Sequence, residues 1–551
     1  MTTEDKTYAE KDAPVAASHS GLDHEAGVIE DVTAKENHAL KRGLKGRHMQ
    51  MIAIGGSIGA GLFVGSGGAL STGGPASLII GFLIVGGMLL CTVQSLGELA
   101  VMYPVNGAFF DYSLRFLDKS WAFAMGYNYA VGWLVVLPYE LTAAGLTIKY
   151  WRPDLNIGIW IAVFLTALFV IQVFGVKGYG EVEFILAMIK VTAILGFIIL
   201  GIIIDCGGVP TDHRGYIGAS YWHDPSKGGA FRNGFKGFCS VFVTAAFSFG
   251  GTEMVGLAAA ETADPRRTIP RATKQTFWRI CLFYIISLLL MGLIVPSNSP
   301  ELLNSGDSDT KDSAFVLAIK LAGIKGLPSV MNVVITISVL SVANSCTYGS
   351  TRTFQALARK GMAPAIFARV DKQGRPWAAV ILQLAFGLLA FVNESSVAGG
   401  QFFTWLLALT GLSYFFTWGS VCLSFIRYRA GWKAQGRSLS EIPWRSQLGL
   451  PGAWIGFLLN CLCLIATFYV SLFPVGSSPN AEGFFEDYLA APIVIACYIF
   501  WKIYDRDWSL FIRTRDMDLD TGRREIDLEP LPEEDYTGTK GKFRAVYRFF
   551  C

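Results

Sequence analysis

Three charged residues lie where charge is expensive. Lys190 sits in EFILAMIKVTAILGFIILGIII, Glu140 in VVLPYELTAAG and Glu253 in FSFGGTEMVG, each within an apolar run. A cation near a bilayer centre costs about 3 kcal/mol on insertion scales, so an intramembrane charge marks a functional position by default. Lys190 is followed by roughly a dozen apolar residues before Asp205, too far for its ammonium to snorkel easily to the interface. A lysine so placed can exchange a proton under mild changes of surroundings. Glu140 and Glu253 could relay protons, hold a cationic group or act as paired structural acids. Glu98 and Glu261 lie nearer span ends, where charge is cheap, and suit a gate or a packing role.

Two glycine-rich stretches accompany these charges. The apolar run from about Met49 to Leu70 is long enough to cross a bilayer, which takes roughly 20 residues of helix. Its middle, IGGSIGAGLFVGSG, holds Gly55, Gly56, Gly59 and Gly61, and only proline weakens a helix interior more than glycine. A helix broken in lipid leaves amides and carbonyls unpaired unless they line a cavity or are buried in protein. CSVFVTAAFSFGGTEMVGLAAAE is interrupted in the same way at Gly250 and Gly251. One such stretch is equally well explained as a packing seam. Two, opening corresponding blocks of five spans, point to a carrier site at the midplane. In the first, Ile58 and Gly59 lead to the amides near Ala60 and Gly61, which start a half-helix and suit a carboxylate. The carbonyls of Ser57, Phe247 and Gly250, freed by unwinding beside Gly251 and Thr252, suit an ammonium. Backbone groups alone can thus bind what all α-amino acids share and leave the side chain unread. Thr410, among the aromatics of QFFTWLLALTGLSYFFTWGS, is a candidate for the side-chain pocket.

These residues need an all-α membrane protein to position them. The chain has 551 residues of which 16% are charged, against about 25% in soluble proteins. About twelve spans are expected, near 49–70, 77–102, 121–148, 158–175, 182–204, 236–258, 278–297, 315–345, 377–394, 402–425, 450–473 and 487–505. Basic residues collect in alternate loops, among them Arg115 and Lys119, Arg266 to Lys274, Arg359 to Arg375 and Arg427 to Arg437. The positive-inside rule then places both termini in the cytoplasm. Residues 1–45 form a polar tail, 46–506 the transporter domain and 507–551 a second tail, with spans one to five and six to ten as an inverted repeat. The cysteines show no disulfide framework or zinc spacing. No P-loop, dinucleotide fingerprint or nucleophile elbow occurs, so neither an enzyme nor an ATP-driven pump is expected, and no catalytic residue, metal, cofactor or nucleic-acid partner.

GRHMQMIAIGGSIGAGLFVGSG, VTAAFSFGGTEMVGLAAAE, PRATKQTFWRI, GVKGYGEVEF, WLLALTGLS and FPVGSSP resemble the fungal amino acid permeases of the amino acid–polyamine–organocation superfamily, and most of all its general permeases. The resemblance implies the LeuT-like fold with broken helices one and six, and proton-coupled uptake of L-amino acids at the plasma membrane, with protons as the coupling ion. It puts Lys190 at the coupling position, and Ser57 to Gly61 and Phe247 to Thr252 around the substrate backbone. It also implies endocytosis through endosomes, driven by a ubiquitin ligase acting at Lys6, Lys11 and Lys35, and contact of a lipidated Cys551 with membrane lipid. One departure stands out: the family's first break usually reads IGTGLF, and Ala60 replaces the threonine here. The leading expectation is a broad-specificity importer. A narrower carrier of basic amino acids or polyamines, or an amino acid sensor, are the alternatives.

Overall fold

The computed structural model describes residues 58–105, 107–262, 264–303, 313–394 and 399–521, together with His48, Met51 and Arg523. Among them eight helices are long and apolar enough to cross a bilayer: Pro75–Met102, Lys119–Ile148, Gly178–Asp205, Gly234–Glu261, Pro265–Ile294, Leu327–Arg359, Trp405–Ala434 and Gly449–Leu472. A ninth span is bent by 69° between Ala481–Tyr488 and Ala490–Asp505, and Ile157–Val173 and Trp377–Asn393 are shorter apolar helices. With Gly61–Gly73 as the later half of the first span, the described helices account for all twelve expected spans.

Two expectations change. The eighth span does not begin at 315: Ala314–Leu321 is a separate short helix, and the span is Leu327–Arg359. Gly323 and Gly326 adopt positive φ between them, and a proline opens the new helix, a stop and a start that local chemistry dictates. The second tail is also not free from 507 onward. Ile512 N donates to Leu117 O at 2.9 Å, Tyr103 Oη donates to Leu519 O at 2.8 Å, and Met517 and Leu519 are buried.

Burial separates the spans into layers. The most apolar stretch of the sixth span is 89% buried, that of the fifth 33% and that of the eleventh 28%. The third and eighth spans share the most extensive contact. Apolar side chains left exposed, such as Ile185 and Ile199 on the fifth span and Leu458, Leu462 and Ile465 on the eleventh, suit a surface facing lipid, where no polar layer is needed. The sixth, third and tenth spans, 89%, 78% and 78% buried, form the centre of the bundle.

Candidate functional site

At the first break the described residues begin at Ile58. Gly59 precedes a helix that starts as a π-turn at Gly61–Gly65 and continues as Ser66–Gly73, a distortion frequent at functional positions. The glycines are needed for contact. A Cβ at Gly61 would lie 2.6 Å from Ser248 Cα of the sixth span, and one at Gly59 2.4 Å from Val342 Cγ2 of the eighth. In the second break the helix stops at Phe249, Gly251 adopts φ +93°, and helix resumes at Met254. A Cβ at Gly250 would meet the Tyr414 ring at 2.3 Å.

The break is tighter than expected. Gly250 N donates to Phe247 O at 3.1 Å, so the Phe247 carbonyl is engaged rather than freed: a turn with Gly251 at positive φ closes the helix end on itself. Thr252 Oγ1 donates to Phe249 O at 2.6 Å and accepts from the buried Arg279 of the seventh span. At the first break the Ala60 amide, expected to await a carboxylate, faces the carboxylate of Glu140.

Lys190 lies on the fifth span with no exposed surface. Its Nζ donates to Ile58 O at 3.2 Å and to Ser341 Oγ at 2.7 Å. It thereby joins the first break to the fifth and eighth spans with a charge-assisted bond. Glu183, equally buried, completes the group at 3.5 Å from Nζ. Glu140 sits on the third span, two residues after Pro138. Among the described residues its Oε2 has no hydrogen-bond partner, a costly state for a buried carboxylate oxygen. Glu253 is the opposite case. It accepts from Gly251 N with both oxygens, from Tyr129 Oη with Oε1 and from Trp418 Nε1 with Oε2, all at 3.2 Å. It holds the second break to the third and tenth spans.

The acids assigned to span ends are paired. Glu98 accepts from Arg429 Nη2 and from Ser446 N, each at 2.8 Å. Glu261 accepts from Arg352 Nε at 2.9 Å, and the Arg352 guanidinium lies 4.6 Å from the Tyr348 ring centre. Both pairs close the bundle on the side of the basic loops. Thr410 is buried, with its hydroxyl turned back onto Leu406 O at 2.6 Å. Ser57, Lys6, Lys11, Lys35 and Cys551 lie outside the described residues.

Several participants were not found by reading the sequence. Tyr129, Trp133, Tyr414 and Trp418 form a continuous aromatic wall, with ring centroids 6.0, 6.0 and 5.4 Å apart in sequence. Their i, i+4 spacing on the third and tenth spans was the available signal. Glu183 and Arg279 are buried charges within spans, each following a charged segment, and the sequence reading did not single them out. Ser341 carried no signal beyond polarity.

A family model described as amino acid permease matches residues 48–514. The general amino-acid permease GAP2 of Candida albicans is 52% identical over 543 residues, covering 97% of this chain and 91% of that one. Cationic amino acid transporter 1 of Schizosaccharomyces pombe is 51% identical over 525 residues, covering 94% and 88%. Among solved structures, a manganese transporter of Eremococcus coleocola in complex with an aromatic bis-isothiourea compound superposes with a TM-score of 0.51 at 13% identity, covering 89% of this chain and 97% of that one. That likeness bears on fold alone, the LeuT-like arrangement with interrupted first and sixth helices. With a family model spanning most of the chain and relatives above half identity over nearly all of it, this multi-pass membrane protein belongs to the amino acid permease family.

Proposed function

We propose that the chain is a proton-coupled importer of amino acids with broad side-chain tolerance, working at the plasma membrane with both termini in the cytoplasm. Permease family membership carries the substrate class. The observation that carries the coupling is Lys190, a buried cation that bridges the first break through Ile58 O and the eighth span through Ser341. Gaining or losing that charge changes how tightly the broken helix is held, which links a proton to the movement of the first span. Binding a substrate carboxylate at the breaks requires the Ala60 and Gly251 amides to exchange Glu140 and Glu253 for it, with the aromatic wall of Tyr129, Trp133, Tyr414 and Trp418 beside them. Turnover through Lys6, Lys11 and Lys35 and membrane attachment at Cys551 complete the proposal. The test is uptake of labelled amino acids by permease-deficient cells, with and without a protonophore. Competition by leucine, glutamate and lysine alike supports a broad importer, and uptake indifferent to the protonophore refutes the coupling.

One observation favours a second reading, a carrier preferring basic amino acids. Glu140 Oε2, without a hydrogen-bond partner among the described residues and beside the first break, suits a side-chain cation. Glu140→Gln would then abolish lysine and arginine uptake and spare leucine. Equal loss of all three would reject it.

A further inference from the structure

Glu183 stands seven residues before Lys190 on the fifth span, two turns away on the same face. Both side chains are fully buried, with Glu183 Oε1 3.5 Å from Lys190 Nζ. Ser341 of the eighth span joins them. Its hydroxyl, accepting from Nζ at 2.7 Å, lies 2.7 and 2.6 Å from the two carboxylate oxygens to which it donates. Carboxylate, hydroxyl and ammonium therefore form one cluster, and its third arm is the Ile58 carbonyl at the first break.

Other charged and titratable groups are near. Glu140 on the third span and Arg279 on the seventh act on Lys190 at longer range. Tyr179 acts on Glu183, and His48 pairs with Glu181 at 3.2 Å on the same span. Among the described residues, Glu183 is the acid at ion-pair distance from Lys190.

We propose that Glu183 is a positioning residue for the coupling lysine. Through the Ser341 bridge it holds the Lys190 ammonium on the Ile58 carbonyl, so that protonation of Lys190 and bracing of the first break are one event. The inference rests on the reading of Lys190 as the coupling group. Without the carboxylate, the ammonium loses its counter-charge at 3.5 Å, and the charged, braced form becomes harder to populate.

The test uses the full chain in permease-deficient cells at matched surface level, with uptake measured against external pH and substrate-induced proton influx recorded alongside. Glu183→Gln removes the charge and keeps an acceptor for Ser341. The pH of half-maximal uptake should move about one unit or more to the acid side, the shift an opposite charge at this distance produces. Proton influx per substrate should fall, while KM at the acidic optimum stays within about twofold of wild type. Glu183→Asp keeps the charge and should restore part of the profile. A wild-type pH profile and proton ratio in Glu183→Gln, with only the maximal rate reduced, overturns the proposal. Should Glu183→Gln fail to reach the surface, Lys190→Met and Lys190→Met/Glu183→Gln decide. Lys190→Met strands a buried carboxylate, so the double variant should reach the surface at a higher level. An equal or lower level overturns the proposal. A Lys190→Met variant that still concentrates substrate refutes the coupling assignment itself. An uncoupled Lys190→Met beside a wild-type Glu183→Gln refutes only the role of Glu183.

Discussion

Gly61 and Gly68 lie on the same half-helix and make opposite predictions under the same substitution. An alanine Cβ at Gly61 would sit 2.6 Å from Ser248 Cα and 2.8 Å from Ser248 N, roughly 0.8 Å short of ordinary contact with backbone atoms. No rotamer relieves that, because the obstacle is the main chain of the sixth span just before its own break. The two broken helices must separate, and overpacking of this kind costs about 1–3 kcal/mol. An arrangement with these spans in contact bears the whole cost, and one with them apart bears little. The population of the contact arrangement should therefore fall roughly 5- to 150-fold. At Gly68 nothing lies within 4 Å of the added Cβ, and alanine in helix gains up to about 1 kcal/mol over glycine. Gly61→Ala should raise the KM for every amino acid tested and lower the apparent melting temperature of purified protein. Gly68→Ala should keep wild-type uptake and melt at or above wild type. If Gly61→Ala transported and melted as Gly68→Ala does, the close crossing of the two breaks would not exist as described.

Three further outcomes follow from named pairs. Glu253→Gln removes the anion that accepts from Gly251, Tyr129 and Trp418, a loss of about 1–2 kcal/mol for the closed break. Leucine and lysine uptake should fall together, and selective loss of lysine would instead make Glu253 a reader of side chains. Arg429→Ala leaves Glu98 buried without its cation, which costs about 3–5 kcal/mol. Surface level should collapse and recover in Glu98→Gln/Arg429→Met; a double variant no better than the single would show that the pair is not the cause. In the loop after the fifth span, hydrogen bonds from the Arg214 guanidinium hold the Asp212 carboxyl below the usual carboxylate range. Asp212 thus favours the folded loop above about pH 4, and that contribution is lost as pH falls through its lowered value. Asp212→Asn should lower the melting temperature at pH 6 and converge with wild type as the medium is acidified below pH 4. A gap that persists in strong acid would refute an electrostatic origin.

The architecture was legible because lipid makes hydrophobic length a strict requirement. Eleven of the twelve expected spans lie wholly within the described residues, and the twelfth is seen in its later half. The failures came where local turn chemistry acts inside an apolar stretch. GIKGLP, residues 323–328, is only mildly polar, so a hydropathy reading runs across it, whereas Gly323 and Gly326 at positive φ and Pro328 at the next helix start divide it. The segment after Asp505 reads as a polar tail because its buried members, Met517 and Leu519, are isolated between charges. Their packing depends on Tyr103 and Gln435, hundreds and tens of residues away, which donate hydrogen bonds to the carbonyls of Leu519 and Met517.

The site divides along the same line. The breaks were legible because glycine has a local physical meaning, and Lys190 was legible because a charge in lipid has a large local cost. What those costs could not reveal was the compensation, since it comes from other spans. The insertion penalty that singles out Lys190 applies equally to Glu183. Yet Glu183 follows Lys177 and Glu181 in GVKGYGEVEF, and a charge among charges at a helix start reads as interfacial. Only when the fifth and eighth spans are packed does it become a buried acid 3.5 Å from the lysine. The same holds for the backbone amides of the breaks. Unwinding was expected to leave the amides near Ala60 and Gly61 open, and the Ala60 amide instead faces Glu140, as the Gly251 amide of the second break faces Glu253. A broken helix in a closed bundle cannot leave its amides bare, because each would cost as much as a lost hydrogen bond in a low-dielectric interior. An intramembrane acid near a glycine break is therefore best read together with the break's own amides, before any role is given to either one alone.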